Sequence, residues 1–226
     1  MIDRSPWGDF DAYGPLLDVQ GMMQPVFRQA FGVPAEGIGE LWRRKYHEYT
    51  LMRTVIDRYV DYWQVATDAL VYAARHHGHE LSADDCTAIL AHYYHVRSFG
   101  DTKHGLTLLS AYKKALVSNG NASMISSMLQ VAELNDAFDG LVSSDQAGTF
   151  KPHARMYALG LERLKVPVEH AVFVSSNSWD VIGAQEFGLK GIWLRRTAGL
   201  WEELGAAPND VIGGLDKLSP LLATIT

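Results

Sequence analysis

Two textures of hydrophobic spacing divide the chain. From about residue 99 onward, short apolar runs alternate with turn residues and helical patterns. The runs are Ala115-Leu116-Val117, Leu141-Val142, Ala171-Val172-Phe173-Val174 and Ile192-Trp193-Leu194. The helical patterns include Ser123 to Leu134, Pro152 to Leu164 and Asp180 to Phe187, with Pro152 suited to a first helical turn, where its missing N–H costs nothing. Strands alternating with helices of this length predict an α/β fold whose parallel sheet is covered on both faces.

Residues from about 20 to 97 read differently. Leu41, Lys45, Glu48 and Met52 fall on helical spacing, as do Val55, Tyr59, Tyr62, Ala66 and Ala69. Tyrosine and tryptophan are dense here, and no convincing strand interrupts the segment. The pattern predicts a core whose first strand precedes Asp11, then a helical insertion, then the rest of the core. One segment fits badly. A central parallel strand should be a near-continuous apolar run, yet Ser5-Pro6-Trp7-Gly8-Asp9-Phe10 is poor strand material.

Composition narrows the functional classes. The 226 residues carry a formal net charge of -6 and are 47% hydrophobic, enough for a sizeable core. No Lys/Arg block stands out to neutralise phosphates, which argues against nucleic acid as a partner. No apolar run approaches membrane-spanning length, and MIDRSPWGDF holds no apolar signal segment. Cytoplasmic placement is the expectation. Cys86 is the single cysteine, so an intramolecular disulfide and a multi-thiolate zinc site are excluded. Its setting, SADDCTAIL, predicts a buried thiol on a helix. The HHGH run at 76–79 invites a metal reading, but it lies near a predicted helix end without a second ligand cluster. The expectation is no metal and no cofactor.

In an open parallel sheet, ligands bind beyond the carboxyl ends of the strands. Four clusters fall there: Asp11 with its turn, Ser118-Asn119-Gly120, Lys151, and Ser175 to Asp180. Singly, each has an ordinary reading. Asn and Gly suit turns, Asp180 is a good helix cap, and Arg43-Arg44-Lys45 is the kind of basic run that coats a solvated helix face. Tyr62 and Trp179 have core packing as their plain reading. The four clusters in this order make the stronger signal.

FDAYGPLLDV, LWRRKYHEYT, SNGN, KPHARMY and SSNSWD resemble the motifs of the L-specific 2-haloacid dehalogenases, within the haloacid dehalogenase superfamily. The likeness runs from about residue 10 to beyond residue 200. It implies a Rossmann-like core, residues 1–17 and 98–226, with a helical cap of residues 18–97 inserted after the first strand. It also implies hydrolysis of short (S)-2-haloacids to (R)-2-hydroxyacids with inversion, through an ester on Asp11. In that scheme Asp180 orients or deprotonates the hydrolytic water, and Asn177, Ser175 and Lys151 hold that water in place. Lys151 also keeps Asp11 ionised. Arg43 and Asn119 would cradle the halide, and Ser118 with backbone N–H groups near Ala12 would receive the substrate carboxylate. Tyr157 would line the site near Lys151, and Tyr13, Tyr62 and Trp179 would form apolar walls. The partners implied are a 2-halocarboxylate, halide and water, with a second copy of the chain in a homodimer.

Two alternatives stay open at this level. A superfamily phosphatase uses a second Asp two residues after the nucleophile, where this chain has Tyr13, and Asn177 stands where an acidic metal ligand is expected. A catalytically impaired member that only binds small carboxylates is suggested by Pro15. The family pattern there has a Thr whose hydroxyl helps position the nucleophile, and proline lacks both hydroxyl and N–H. Arg44 also replaces a common Gln.

Overall fold

The computed structural model describes residues 7–32 and 35–224. The chain opens on β1 (Trp7–Phe10), followed by α1 (Val19–Phe31), α2 (Ala35–Val55), α3 (Tyr62–His76), α4 (Ala83–Leu90) and a 3-10 turn at Ala91–His95. It continues with α5 (Thr102–Leu108), β2 (Lys114–Ser118), α6 (Ala122–Val131), β3 (Gly140–Ser143), α7 (Ser144–Ala147) and α8 (Ala154–Leu164). The last elements are β4 (Ala171–Ser175), α9 (Ser178–Phe187), β5 (Lys190–Leu194), β6 (Asp210–Ile212) and α10 (Leu218–Leu222).

The six strands form one parallel sheet in the order β3-β2-β1-β4-β5-β6. This is the α/β class expected from the strand–helix alternation. β1 lies at the centre and pairs with both β2 and β4, so the chain reverses its direction of winding there. That topological switch opens a crevice beyond the strand ends, where ligands bind in such sheets. Alternation along the strands sends Phe10, Leu116, Val172 and Val174 to one core cluster, and Val117 and Phe173 to another with Met156, Tyr157 and Ala184.

β1 is the strand least prepared by its sequence. It is four residues long, and Gly8 and Asp9 are both buried in it. Pairing on both edges supplies what its propensity does not. Ser5 and Pro6 lie outside the described residues. The edge strand β6 was not signalled, because three residues with exposed Val211 leave no apolar run to read.

The segment between β1 and α5 is helical, as its periodicity predicts, but the second apolar stripe is broken. Val55 ends α2, Asp57 takes a positive φ of 53°, and Asp61 caps α3 by accepting a hydrogen bond from the Gln64 N–H at 3.0 Å. A short acceptor side chain at an N-cap satisfies a donor the helix leaves free. The buried stripe of α2 is also offset from the predicted one: Leu41, Trp42, Tyr46 and Thr50 face inward, while Met52 is exposed. Cys86 is buried in α4, as expected. The insertion's entry and exit run side by side, with Asp18 N–H donating to the Arg97 carbonyl and Phe99 N–H to that of Leu16.

Three helix boundaries differ from expectation. Pro152 precedes α8 rather than opening it; His153 is the cap, its ring accepting from the Arg155 N–H. α6 stops at Val131, three residues short of Leu134. α9 begins at Ser178 with Asn177 as its N-cap, so Asp180 lies in the first turn and is not the cap.

Candidate active site

Asp11 follows β1 immediately and is buried. Lys151 Nζ lies 2.7 Å from Asp11 Oδ1 and 2.7 Å from Asp180 Oδ2, and also donates to the Val117 carbonyl at 3.0 Å. The second oxygen of Asp11 accepts from Ser175 Oγ and from Asn177 Nδ2, each at 3.1 Å. Asp180 Oδ1 accepts from the Tyr157 hydroxyl at 2.9 Å. A buried ammonium therefore bridges two buried carboxylates, and each carboxylate has a further side-chain donor. Buried charges need such partners to be tolerated.

Each side chain is placed by its element. Lys151 lies in the turn before α8, and its backbone N–H donates to Asn119 Oδ1 at 2.7 Å, joining the loop after β2 to the turn before α8. Ser175 ends β4, and Asn177 and Asp180 sit at the start of α9. Asn177 makes no side-chain cap for α9; its amide N–H instead donates to Asp11. Ser118 ends β2, where its hydroxyl accepts from the Gly120 N–H at 3.1 Å. Ala12 is fully buried beside the nucleophile.

Electrostatics follow from this packing. Burial raises the Asp180 carboxyl to about 6 against the opposing pull of Lys151, with Asp11 adding to the rise. Burial pulls the Lys151 ammonium down, but Asp11 and Asp180 together outweigh it, so its pKa is raised and it stays charged. One cation among two carboxylates leaves the cluster negative when both are ionised. An entering anion must then find its donors elsewhere, on hydroxyls, backbone N–H groups or Arg43.

The sequence-predicted residues divide into two groups. Asp11, Lys151, Asp180, Ser175, Asn177 and Tyr157 form one hydrogen-bonded cluster, and Asn119 is tied to it through the Lys151 backbone. Tyr13 and Tyr62 stack on one another with centroids 6.1 Å apart, and Trp179 meets the His47 ring at 5.4 Å. Arg43 is exposed on α2, and its side chain hydrogen-bonds Tyr46.

Sequence reasoning missed Tyr46, His47 and Tyr93. Tyr93 packs edge-on against both Tyr13 and Tyr62. Loss of solvation, then Arg43 and Lys151, lower the His47 imidazole to about 3. A signal for two of them existed, since Tyr46 and His47 stand three and four residues after Arg43, on the same helix face. Also missed was an anchor for the turn after the nucleophile. Arg196 donates to the Pro15 carbonyl and forms an ion pair with Asp101 at 2.7 Å, and Asp101 accepts from the Leu215 N–H.

Known proteins place this geometry. The family model of the haloacid dehalogenase-like hydrolases matches residues 10–188. An (S)-2-haloacid dehalogenase of Pseudomonas fluorescens is 35% identical over 212 residues, covering 93% of this chain and 93% of that relative. The structure of L-2-haloacid dehalogenase from Xanthobacter autotrophicus superposes with a TM-score of 0.93 at 30% identity, covering 98% of this chain and 99% of that one. The same enzyme with chloropropionic acid covalently bound also matches with a TM-score of 0.93. The chain belongs to the haloacid dehalogenase-like hydrolase family, in its 2-haloacid dehalogenase branch.

Proposed function

We propose that the chain hydrolyses short (S)-2-haloacids to (R)-2-hydroxyacids through an ester on Asp11, with inversion at the α-carbon. The observation that carries this reading is the pair of unlike carboxylates joined by Lys151, 2.7 Å from each. One is held by three side-chain donors and follows the central strand. The other is raised to about 6, as a base that must take a proton near neutrality is best served.

Asp11 Oδ1 carries one donor and Oδ2 carries two, so Oδ1 keeps the freer lone pair for attack on the α-carbon. The halide leaves with the bonding pair. Covalent catalysis by a carboxylate divides the displacement into two easier steps. Water then attacks the ester carbonyl, with Asp180 taking its proton and Lys151, Ser175 and Asn177 holding the oxygens. Ser118 with the backbone near Ala12 binds the substrate carboxylate, while Arg43 and Asn119 attend the halide. Trp179, Tyr13 and Tyr62 exclude water. Tyr13 and Asn177 bring no carboxylate to the positions where a superfamily phosphatase needs one, which disfavours that alternative. In this reading residues 1–17 and 98–226 are the core and 18–97 the cap, and the enzyme is a cytoplasmic homodimer.

The test is chloride release from each enantiomer of 2-chloropropionate in the presence of EDTA. Release from the (S) enantiomer alone is expected. No chloride, together with magnesium-dependent release of phosphate from a generic ester, sinks the reading in favour of a phosphatase.

A further inference from the structure

The aromatic wall on the cap side of Asp11 holds one polar group that the packing leaves unused. Tyr13, Tyr46, Tyr62 and Tyr93 pack as a group, with Tyr13–Tyr93 centroids at 5.9 Å, Tyr46–Tyr62 at 5.9 Å and Tyr62–Tyr93 at 6.4 Å. Their polar ends are spent or sealed. Tyr46 hydrogen-bonds Arg43 and Tyr93, Tyr62 hydrogen-bonds Tyr93, and the Tyr13 hydroxyl is buried against Gly120. His47 is neither spent nor sealed. It stands one turn after Arg43 on the same face of α2, and its ring is only half-buried. The ring centroid lies 5.4 Å from that of Trp179 and 4.4 Å from that of Tyr46. The His47 backbone carbonyl accepts from Thr50 Oγ1 at 2.8 Å, but neither ring nitrogen has a hydrogen-bond partner among the described residues.

Trp179 ties this imidazole to the chemistry. It sits between Asn177, which donates to Asp11, and Asp180, which accepts from Lys151. Loss of solvation first, then Arg43 from the cap and Lys151 from the core, hold the ring at about 3. At neutral pH it is therefore uncharged, with one nitrogen a donor and the other an acceptor. Such a ring has no charge to offer a carboxylate or a halide. What it can do, and an aliphatic side chain cannot, is exchange a hydrogen bond with a neutral polar group. Water serves that need only until a substrate expels it, after which an unpaired ring nitrogen carries a desolvation cost.

We propose, resting on the dehalogenase reading, that His47 selects the substituent on the substrate α-carbon, and that the chain prefers 2-halocarboxylates with a neutral hydrogen-bonding group at C3, 2-halo-3-hydroxypropionates above all. The α-carbon carries a carboxylate, a halogen, a hydrogen and this substituent. In the dehalogenase scheme the carboxylate goes to Ser118 and the backbone near Ala12, and the halide to Arg43 and Asn119. The substituent is left to the Trp179–His47 side. An apolar pocket cannot strongly reject an isostere that merely adds a hydroxyl, whereas a site built to hydrogen-bond that hydroxyl discriminates against the analogue without it. The reaction itself is unchanged. One Asp11 oxygen bonds to the α-carbon as the C–Cl bond breaks, and chloride departs with the electron pair. One water then hydrolyses the ester to 2,3-dihydroxypropionate and regenerates Asp11, and the proton released passes through Asp180 to solvent. The C3 hydroxyl is held by His47 and is not consumed.

The experiment measures kcat/KM by chloride release for (S)-2-chloro-3-hydroxypropionate and (S)-2-chlorobutyrate, whose CH2OH and CH2CH3 groups are close in size, with (S)-2-chloropropionate as the reference. It compares the wild type with His47→Leu and His47→Gln. The wild type is expected to favour the hydroxylated substrate by about tenfold or more, and His47→Leu to lower that ratio by at least about tenfold. His47→Gln keeps a donor and an acceptor, so its ratio should stay within about threefold of the wild type. General damage to the site lowers both rates together and leaves the ratio in place. Where His47→Leu has no native melting transition, His47→Met is read by the same ratio. A wild type that favours 2-chlorobutyrate overturns the proposal, and so does a ratio that His47→Leu leaves unmoved. Chloride from 2-chloropropionate alone also overturns it and leaves the dehalogenase reading standing. No chloride from any of the three removes the dehalogenase reading, and this proposal with it.

Discussion

Asp9 and Asp180 are both buried acids with raised pKa values, yet their surroundings give them opposite consequences. Asp180 has Lys151 and Tyr157 as partners, so its charged form is supported. As the base for ester hydrolysis it must be ionised, so turnover is expected to fall as pH drops through about 6. Asp180→Asn should let the ester form and block its hydrolysis. Intact-mass measurement should then find an adduct that persists, whereas an unmodified chain after incubation with substrate would contradict the assignment. Asp9 has no partner for either carboxyl oxygen among the described residues, and burial raises it to about 8 despite Lys151. Below pH 4 folded and unfolded chains both hold this proton, so its titration adds no pH dependence there. Between about 4 and 8 only the unfolded chain releases it, so stability falls with rising pH, by an amount on the order of 5 kcal/mol in all. Asp9→Val is accordingly expected to be more stable than the wild type in urea at pH 8, with the advantage shrinking toward pH 4. An advantage independent of pH would contradict this account. Pro15 can be judged at the same scale. Asp11 already holds three side-chain donors, and Arg196 anchors the Pro15 carbonyl. Pro15→Thr should therefore change turnover by less than about threefold, because the added hydroxyl would be one donor among four. A gain of a hundredfold would show that the native turn leaves Asp11 misplaced.

Among the elements, α9 carries the tightest constraint. It delivers Asn177 from its N-cap and Asp180 from its first turn, and it can approach the Lys151–Pro152 turn only because position 183 has no side chain. A Cβ on Gly183 would lie 2.3 Å from Pro152 Cβ and 2.7 Å from the Tyr157 hydroxyl. Gly183→Ala would usually gain helix propensity, about 1 kcal/mol. Here it should destabilise by roughly 1–3 kcal/mol through overpacking and lower turnover by displacing Tyr157 from Asp180. A thermal melt at or above that of the wild type would refute the crowding. This constraint left no mark in the sequence, because a glycine in a helix looks alike whether it relieves a clash or not. The continuous apolar strands β2 to β5 were legible, and β2 and β4 end on Ser118 and Ser175, residues that the site uses. β1 was legible only through Asp11 and the turn after it. Its Gly8 and Asp9 contradict strand propensity, and the pairing that forces them into line comes from residues more than 100 positions away. The phenol group was illegible for a related reason. Tyr13, Tyr46, Tyr62 and Tyr93 belong to four separate elements and share no spacing, although the helical register from Arg43 to Tyr46 and His47 gave a local hint.

At the scale of the whole molecule, α2 has two tasks at its two halves. Its middle turns Tyr46 and His47 toward the crevice. Its end exposes Leu51, Met52 and Val55, with Val55 79% accessible, and Ile56 just beyond the helix and Tyr72 of α3 continue the apolar surface. A groove of about 740 Å³ lined by Tyr49, Met52, Arg53, Asp68, Val71 and Tyr72 lies in the same region. Apolar side chains clustered on a surface, rather than scattered singly, mark an association site. A second copy of the chain is the occupant the homodimer reading requires, through a two-fold contact in which α2 and α3 of one protomer meet those of its partner. Val55→Asp places a charge at the most exposed point of this surface. Light scattering on a size-exclusion column is expected to show a dimer for the wild type and a monomer for the variant. The melting temperature of the wild type should rise with protein concentration, and that of the variant should not, because association stabilises by mass action. Val55 is 12 residues from Arg43 along one helix, about 18 Å at 1.5 Å per residue. Loss of the partner at that distance should leave turnover per chain within about twofold, since additivity holds for sites so far apart. A wild type that stays monomeric at high concentration would dismiss the interface. A monomeric Val55→Asp chain that has lost turnover would show instead that the pose of α2, and with it Arg43, Tyr46 and His47, depends on the partner.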